Sequence, residues 1–129
     1  MISPDVIGRT FEGTELVTIT QDEISAFCAV ISEDDTTIAP PTFSIRISLD
    51  QSQEILTRPE VGINWDRLVH GDQKFEISRP LVAGDVVRCD STIESVKVLA
   101  GNEIVSVRSD LYVDGSIAIK SWSTLVVRA

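Results

Sequence analysis

The segment that decides the fold holds two informative stretches, IAPPTF at residues 38–43 and HGDQKFEISRPLVAGDVVR at residues 70–88. In the first, Pro40 and Pro41 suit the start of a helix, because proline is tolerated in the first helical turn. The second predicts a strand, a turn at Gly84-Asp85 and another strand. The order indicates a helix placed before antiparallel β-structure.

The residues between these stretches fit two structures. Apolar residues at 43, 45, 47 and 49 alternate with polar ones, which is the period of a β-strand. Against a strand, residues 51–54 (QSQE) favour a helix, and Pro59 ends whatever element precedes it. From the residues alone, both interpretations stay open.

The first part of the chain predicts a short strand and then a helix. Residues 15–20 (ELVTIT) have the β-branched character of a strand. Thr20 and Glu23 have the spacing of a capping box, which marks the start of a helix. The apolar stripe that follows has helical spacing and consists of Ile24, Phe27, Cys28 and Ile31.

From residue 70 onward the pattern is β. We expect strands at residues 70–79, 86–99, 103–113 and 116–128, with a tight hairpin turn at Asp114-Gly115. The apolar parity of the second of these strands changes at Val96 and Val98, which predicts a bulge or a strong twist there. Helices followed by a run of antiparallel strands predict an α+β fold.

Length and composition limit the possible function classes. A chain of 129 residues builds one domain, residues 1–129. Its net charge of −9 repels phosphates and anionic lipid, so neither nucleic acid nor a membrane is an expected partner. Cys28 and Cys89 lack metal-ligand spacing and are predicted to be buried apolar residues. We expect no metal or cofactor and, since no apolar run has membrane-spanning length, a cytoplasmic protein.

Four short strings carry a resemblance to a known family: APPTF at residues 39–43, HG-x-Q-x-F at 70–75, RP-x-x-AGD at 79–85 and STLVVR at 123–128. In these strings the chain resembles the MaoC-like (R)-specific hydratases and dehydratases, in particular their dehydratase N-terminal domain. The resemblance implies a hot-dog fold, in which residues 41–57 form a long central helix wrapped by an antiparallel sheet of about five strands. In that helix we expect a buried first half and an exposed second half. The apolar faces of the strands from Val86 onward exceed what one helix can cover, so we also expect a dimer with a continuous sheet.

One family feature is missing from the sequence. Catalytic members carry an Asp-x-Asn-Pro-x-His segment, whose Asp and His form the acid/base pair. Here residues 32–37 read SEDDTT, with neither the Asn-Pro pair nor the His. Asp34 or Asp35 could stand where the family's Asp lies, but only if the loop is shortened, and Asp35 also fits a turn that ends a helix. The resemblance thus implies a subunit with no catalytic residues, which binds the acyl substrate of an (R)-specific enoyl-CoA hydratase or 3-hydroxyacyl-thioester dehydratase.

The resemblance also suggests substrate-binding residues, which are Pro41, Thr42, Phe43, His70 and Gly71. The expected ligand is an acyl-CoA or acyl carrier protein thioester. The expected partner is a catalytic hot-dog subunit or a second copy of the chain. His70 is the only histidine, and in a purely structural interpretation it starts a strand and donates a hydrogen bond to a carbonyl.

Two alternatives remain open. Thioesterases on this fold can use one carboxylate on or near the central helix, so Asp50 or Glu54 could make the chain an autonomous acyl-CoA thioesterase. A homodimer that binds acyl thioesters without turning them over is the other alternative. Hydrolysis of acyl-CoA by the purified chain would favour the first, and a neighbouring reading frame that encodes Asp-x-Asn-Pro-x-His would favour the subunit.

Overall fold

A computed structural model describes residues 2–129. Its helices are α1 (Gln21–Val30) and α2 (Ile45–Leu56), with short 3-10 turns at Pro4–Val6 and Trp65–Arg67. Its strands are β1 (Thr10–Phe11), β2 (Val17–Thr18), β3 (Leu68–Ile77), β4 (Val86–Leu99), β5 (Asn102–Val113) and β6 (Ser116–Val127).

The strands form one antiparallel sheet in the order β1-β4-β5-β6-β3, and β2 also pairs with β4. The helix α2 packs against β4 and β5 on one face of this sheet. This is the predicted α+β hot-dog arrangement of a helix wrapped by a sheet. The sheet has six strands instead of about five, because two-residue β1 and β2 both pair with the long strand β4.

The helix α1 begins where the capping box predicts. The Thr20 hydroxyl accepts a hydrogen bond from the Glu23 N–H, and the Glu23 carboxylate accepts one from the Thr20 N–H. Ile24 and Cys28 are fully buried, as the apolar stripe requires. Ile31 was wrongly placed in that stripe. The helix ends at Val30, so Ile31 lies beyond the helical repeat and is 46% exposed.

The ambiguous segment is a helix, in spite of its strand-like alternation. Residues 41–44 form turns, so α2 begins at Ile45 and not at residue 41. The expected division into a buried first half and an exposed second half is wrong. A helix buries one face along its whole length, and the buried residues of α2 are Ile47, Ser48, Ser52, Ile55 and Leu56.

The long strands follow the sequence pattern closely. The strand β4 has the predicted bounds, and its inward residues Val87, Cys89, Ser91 and Ile93 are buried. The irregularity in β4 lies between Ile93 and Ser95, slightly earlier than the predicted Val96. The turn at Asp114-Gly115 has positive φ values of 51° and 80°, which suit the predicted tight hairpin.

The core has two apolar clusters, one at each end of α2, separated by a band of buried serines. One cluster includes Phe43, Ile47, Val87, Cys89, Leu111 and Ile119, and the other includes Ile55, Ile93, Val107 and Leu125. On each of the four elements the residues between the clusters are serines, which are Ser48, Ser52, Ser91, Ser109, Ser121 and Ser123. Small side chains here let the helix backbone lie close to the sheet.

The RP-x-x-AGD string forms a clamp across the β3–β4 turn. Arg79 contacts both carboxylate oxygens of Asp85 at 2.9 Å, and the Val82 N–H donates to the same carboxylate at 2.8 Å. Gly84 occupies the turn with a φ of +91°, a conformation that side chains disfavour. The string is thus explained by the geometry of this turn. The pKa of Asp85 lies below its usual value of 3.8, mainly because the carboxylate accepts hydrogen bonds from the Arg79 guanidinium.

We predict that Asp85→Asn lowers the free energy of unfolding by about 1–3 kcal/mol, because it removes a charged acceptor shared by two donors. The stabilisation from a lowered carboxyl pKa is present above pH 3.8 and is lost as the pH falls through the lowered value. The difference in the free energy of unfolding between wild type and variant, measured with urea, should therefore decrease as the pH falls below 3.8. Glu94→Gln, which removes the charge from a partly exposed contact of 3.2 Å to Arg108, is the control and should cost about 0–1 kcal/mol. Equal losses in the two variants would contradict the clamp.

Candidate functional site

A cavity of about 380 Å³ lies between α2, the β4 strand and the segment around β2. This volume is within the range of about 300–1,000 Å³ that is usual for small-molecule sites. Its lining residues are Thr14, Glu15, Val17, Ile19, Glu23, Phe43, Arg46, Ile47, Asp50, Gln51, Glu54 and Cys89. Segments far apart in the sequence therefore build one site.

The inner part of the cavity is apolar. Ile19, Phe43, Ile47 and Cys89 are all nearly buried and belong to the first core cluster. Burial raises the pKa of the Cys89 thiol to about 12. A thiol of this kind stays protonated near neutral pH and is a poor nucleophile, so Cys89 contributes an apolar surface.

The wall formed by α2 is polar. Arg46, Asp50 and Glu54 are spaced by four residues, which places them on one face of the helix. Glu54 forms an ion pair with Arg58 at 2.8 Å. The Gln51 Nε2 is buried and, among the described residues, has no hydrogen-bond partner. A buried donor without an acceptor is costly, so a ligand that offers a carbonyl oxygen here would relieve that cost.

The rim of the cavity is closed on one side by an ion pair between Glu23 and Arg46, which we call the rim ion pair. The Arg46 Nη2 lies 3.1 Å from the Glu23 Oε2, and the guanidinium is 5.0 Å from the centre of the Phe43 ring. The pKa of Glu23 is lowered, chiefly by the Thr20 hydroxyl and further by Arg46. Glu23 therefore caps α1 and anchors Arg46 at the same time.

The cavity carries a net negative charge. Four carboxylates, those of Glu15, Glu23, Asp50 and Glu54, line it together with one guanidinium, that of Arg46. Like charges repel, most strongly where solvent is partly excluded. The site therefore disfavours phosphates and suits a ligand whose inserted part is neutral, with an apolar end and a polar end.

Asp35 lies outside this cavity and forms a local turn. Its Oδ1 accepts hydrogen bonds from the Thr37 N–H at 2.9 Å and from the Thr37 hydroxyl at 2.5 Å. The hydroxyl of Thr37 is the main cause that lowers the pKa of the Asp35 carboxyl. This geometry fits the turn interpretation of Asp35.

The cavity brings together only one of the five predicted binding residues, Phe43. Pro41 and Thr42 are exposed in the turns before α2. His70 and Gly71 are exposed on β3, three strand positions from β4, which corresponds to about 14 Å across the sheet. A direct role of Pro41, Thr42, His70 or Gly71 in substrate binding stays a prediction.

His70 takes part in a polar network at the β3 edge of the sheet. Its Nε2 lies 3.1 Å from the Asp72 carbonyl oxygen and 3.0 Å from the Gln73 Oε1. Since both partners are acceptors, Nε2 carries the hydrogen and donates. Gln73 also accepts from Ser123 and donates to Ser121. Gly71 is the extra residue of a bulge between His70 and Asp72, so the His-Gly string has a structural role here.

Several cavity residues were missed from the sequence. Asp50 and Glu54 are predicted from the sequence as candidate carboxylates, and their four-residue spacing adds Arg46 to the same wall once residues 45–56 are assigned to a helix. Thr14, Glu15 and Cys89 carry no local signal, because only pairing in the sheet brings them together. Cys28 and Cys89 are free and buried, as predicted.

Residues 2–129 contain no group of three or more His, Cys, Asp or Glu side chains that could hold a metal ion. No helix in the described part of the chain is long and apolar enough to span a membrane.

Comparison with solved structures identifies the fold. A chain of the C-terminally truncated HadBC (3R-hydroxyacyl-ACP dehydratase) complex from Mycobacterium tuberculosis superposes with a TM-score of 0.84 and 22% identity, covering 95% of this chain and 97% of that one. HtdX from the same organism gives a TM-score of 0.82 and 17% identity, covering 93% of this chain and 51% of that one. At these identities the likeness concerns the fold alone.

Sequence comparison places the chain in a family. A UPF0336 protein from Thermobifida fusca is 37% identical, covering 98% of this chain and 94% of the relative. A UPF0336 protein from Streptomyces griseus is 34% identical, covering 95% of this chain and 93% of that relative. The family model described as "FAS1-like, dehydratase domain region" matches residues 5–118. The MaoC-like resemblance is confirmed, and the chain belongs to the FAS1-like dehydratase region family of hot-dog proteins.

Proposed function

We propose that the chain is the non-catalytic, acyl-binding subunit of an (R)-specific enoyl-thioester hydratase or 3-hydroxyacyl-thioester dehydratase. The observation that carries this proposal is a cavity with an apolar inner part and carboxylates, but no imidazole, at its wall. Hydration of an enoyl thioester needs an acid/base pair placed around one water molecule. The chain's only histidine lies on the edge strand β3, three strand positions from β4.

The cavity suits the acyl and pantetheine parts of a thioester. The apolar inner part, formed by Ile19, Phe43 and Ile47, can hold hydrocarbon, and the Gln51 amide can donate to a carbonyl oxygen. The carboxylates of the wall would keep phosphates away. The phosphorylated end of a CoA or carrier-protein thioester would then lie on the partner subunit.

The β3 edge is the surface on which we place that partner. This strand is ten residues long and ends the sheet, whereas the opposite edge consists of the two-residue strand β1. Unpaired N–H and C=O groups along an edge favour pairing with another strand. Val69 and Ile77, at the two ends of β3, are 47% and 38% exposed. Pairing through β3 would form a continuous sheet with a catalytic hot-dog subunit or with a second copy.

We predict that the purified chain does not hydrate crotonyl-CoA or longer enoyl-CoAs. Asp35 is engaged by Thr37 and lies outside the cavity, and no imidazole lines the cavity to pair with one of its carboxylates. Asp35→Asn should leave this lack of activity unchanged. Turnover by the wild-type chain that disappears in Asp35→Asn would show that the subunit is catalytic.

We predict opposite effects of Gln51→Leu on stability and on ligand binding. Because the Gln51 Nε2 is a buried donor without a partner, its removal should leave the free energy of unfolding unchanged or raise it by about 1 kcal/mol. Loss of its bond to a ligand carbonyl should weaken acyl-pantetheine binding about fivefold. Calorimetry and urea unfolding measure the two effects. Unchanged affinity together with lower stability would contradict a role in binding.

An autonomous thioesterase is a second candidate, because Asp50 and Glu54 both line the cavity. Glu54 is held by Arg58, whereas Asp50 has no hydrogen bond or ion pair within the described residues, which makes it the better general base. The discriminating assay is hydrolysis of acyl-pantetheines by the chain alone. Hydrolysis that is lost in Asp50→Asn and retained in Glu94→Gln would replace the subunit proposal with this one.

A further inference from the structure

The rim ion pair separates two concave surfaces. One is the cavity, and the other is a shallow groove on the outside of α1, lined by Asp22, Glu23, Ala26, Phe27, Val30 and Arg46. Glu23 and Arg46 line both. They are therefore the wall between the cavity and the groove.

We propose that the rim ion pair limits the length of the acyl chain that the cavity accepts, and that its opening lets a longer chain continue into the groove on α1. This inference rests on the proposed acyl-binding function. It assigns Glu23 and Arg46 as specificity-determining residues, although neither reacts with the substrate.

Apolar side chains from the two surfaces contact each other next to the ion pair. Phe43 lines the cavity and Phe27 lines the groove, and their rings touch edge to face with centroids 5.4 Å apart. Beyond Phe27 the groove presents Ala26 and Val30. Val30 is 84% exposed, the highest value among the large apolar residues that the structure leaves uncovered. Hydrocarbon that passes the ion pair would therefore meet apolar surface.

Breaking the rim ion pair requires little free energy. The Arg46 and Glu23 side chains are 45% and 35% exposed, and exposed ion pairs contribute little to stability. Glu23 would keep its bonds to Thr20 when Arg46 swings away, so α1 stays capped. Arg46 has a long flexible side chain that can turn toward solvent.

Glu23→Gln tests the wall without disturbing the helix. Glutamine also serves as the third residue of a capping box, so α1 keeps its cap while the ion pair loses its charge. Arg46→Met is the second variant, because methionine is a good helix former and leaves α2 intact. Glu94→Gln is the matched control, since its ion pair with Arg108 at 3.2 Å belongs to neither surface.

The measurement is the dissociation constant of saturated straight-chain acyl-pantetheines of increasing length, determined by calorimetry on the full chain. Each buried methylene should tighten binding about fourfold. For the wild type and Glu94→Gln, we expect the affinity to stop increasing once the acyl chain is long enough to reach the ion pair. For Glu23→Gln and Arg46→Met, it should continue to increase over several further methylenes.

The outcomes separate the two levels of inference. The proposal is supported if the affinity of the wild type stops increasing at a certain acyl length and the affinity of both rim variants continues to increase beyond that length. If the affinity depends on acyl length in the same way in the wild type and both variants, the ion pair does not limit the acyl length. The same conclusion follows if the affinity of the wild type increases at every length tested. Neither result contradicts acyl binding. Failure of the wild type to bind an acyl-pantetheine of any length overturns acyl binding itself.

Discussion

The structure depends on the close packing of one helix, α2, on the inner face of the sheet. Buried serines lie on both elements: Ser48 and Ser52 on the helix, and Ser91, Ser109, Ser121 and Ser123 on the three central strands. In the sheet, Ser91, Ser109 and Ser121 are in register across β4, β5 and β6, and the first two approach to 3.3 Å between their hydroxyl oxygens. Larger side chains would push the helix away and open the two apolar clusters on either side.

The same packing creates the cavity. With the serine face of α2 turned to the sheet, helical geometry directs Arg46, Asp50 and Glu54 toward the segment that contains β2. That segment is held to β4 by short pairing and by the close approach of Gly13, whose ideal Cβ would lie 2.4 Å from the Cys89 carbonyl oxygen. No side chain fits there. The cavity is therefore a consequence of how the helix and this segment both attach to β4.

The sequence predicts the second half of the chain well and the central helix poorly. The strands after residue 86 have clear alternation and glycine turns, and their predicted bounds agree with the structure within one residue. Only the family resemblance predicts the helix α2, because its buried face carries Ser48 and Ser52 and lacks a regular apolar period. The cavity could not be predicted from local patterns, since Glu15, Arg46 and Cys89 meet only through the tertiary fold.

The central claim is that this chain supplies an acyl site and that a partner supplies the acid/base pair. The most direct measurement is co-expression with a hot-dog subunit that carries Asp-x-Asn-Pro-x-His, followed by light scattering and an enoyl-thioester hydration assay of each protein alone and of the mixture. We predict a stable complex that needs both chains for turnover and that fails when the partner's motif is mutated. A monomeric chain that neither binds the partner nor changes its turnover would contradict the claim.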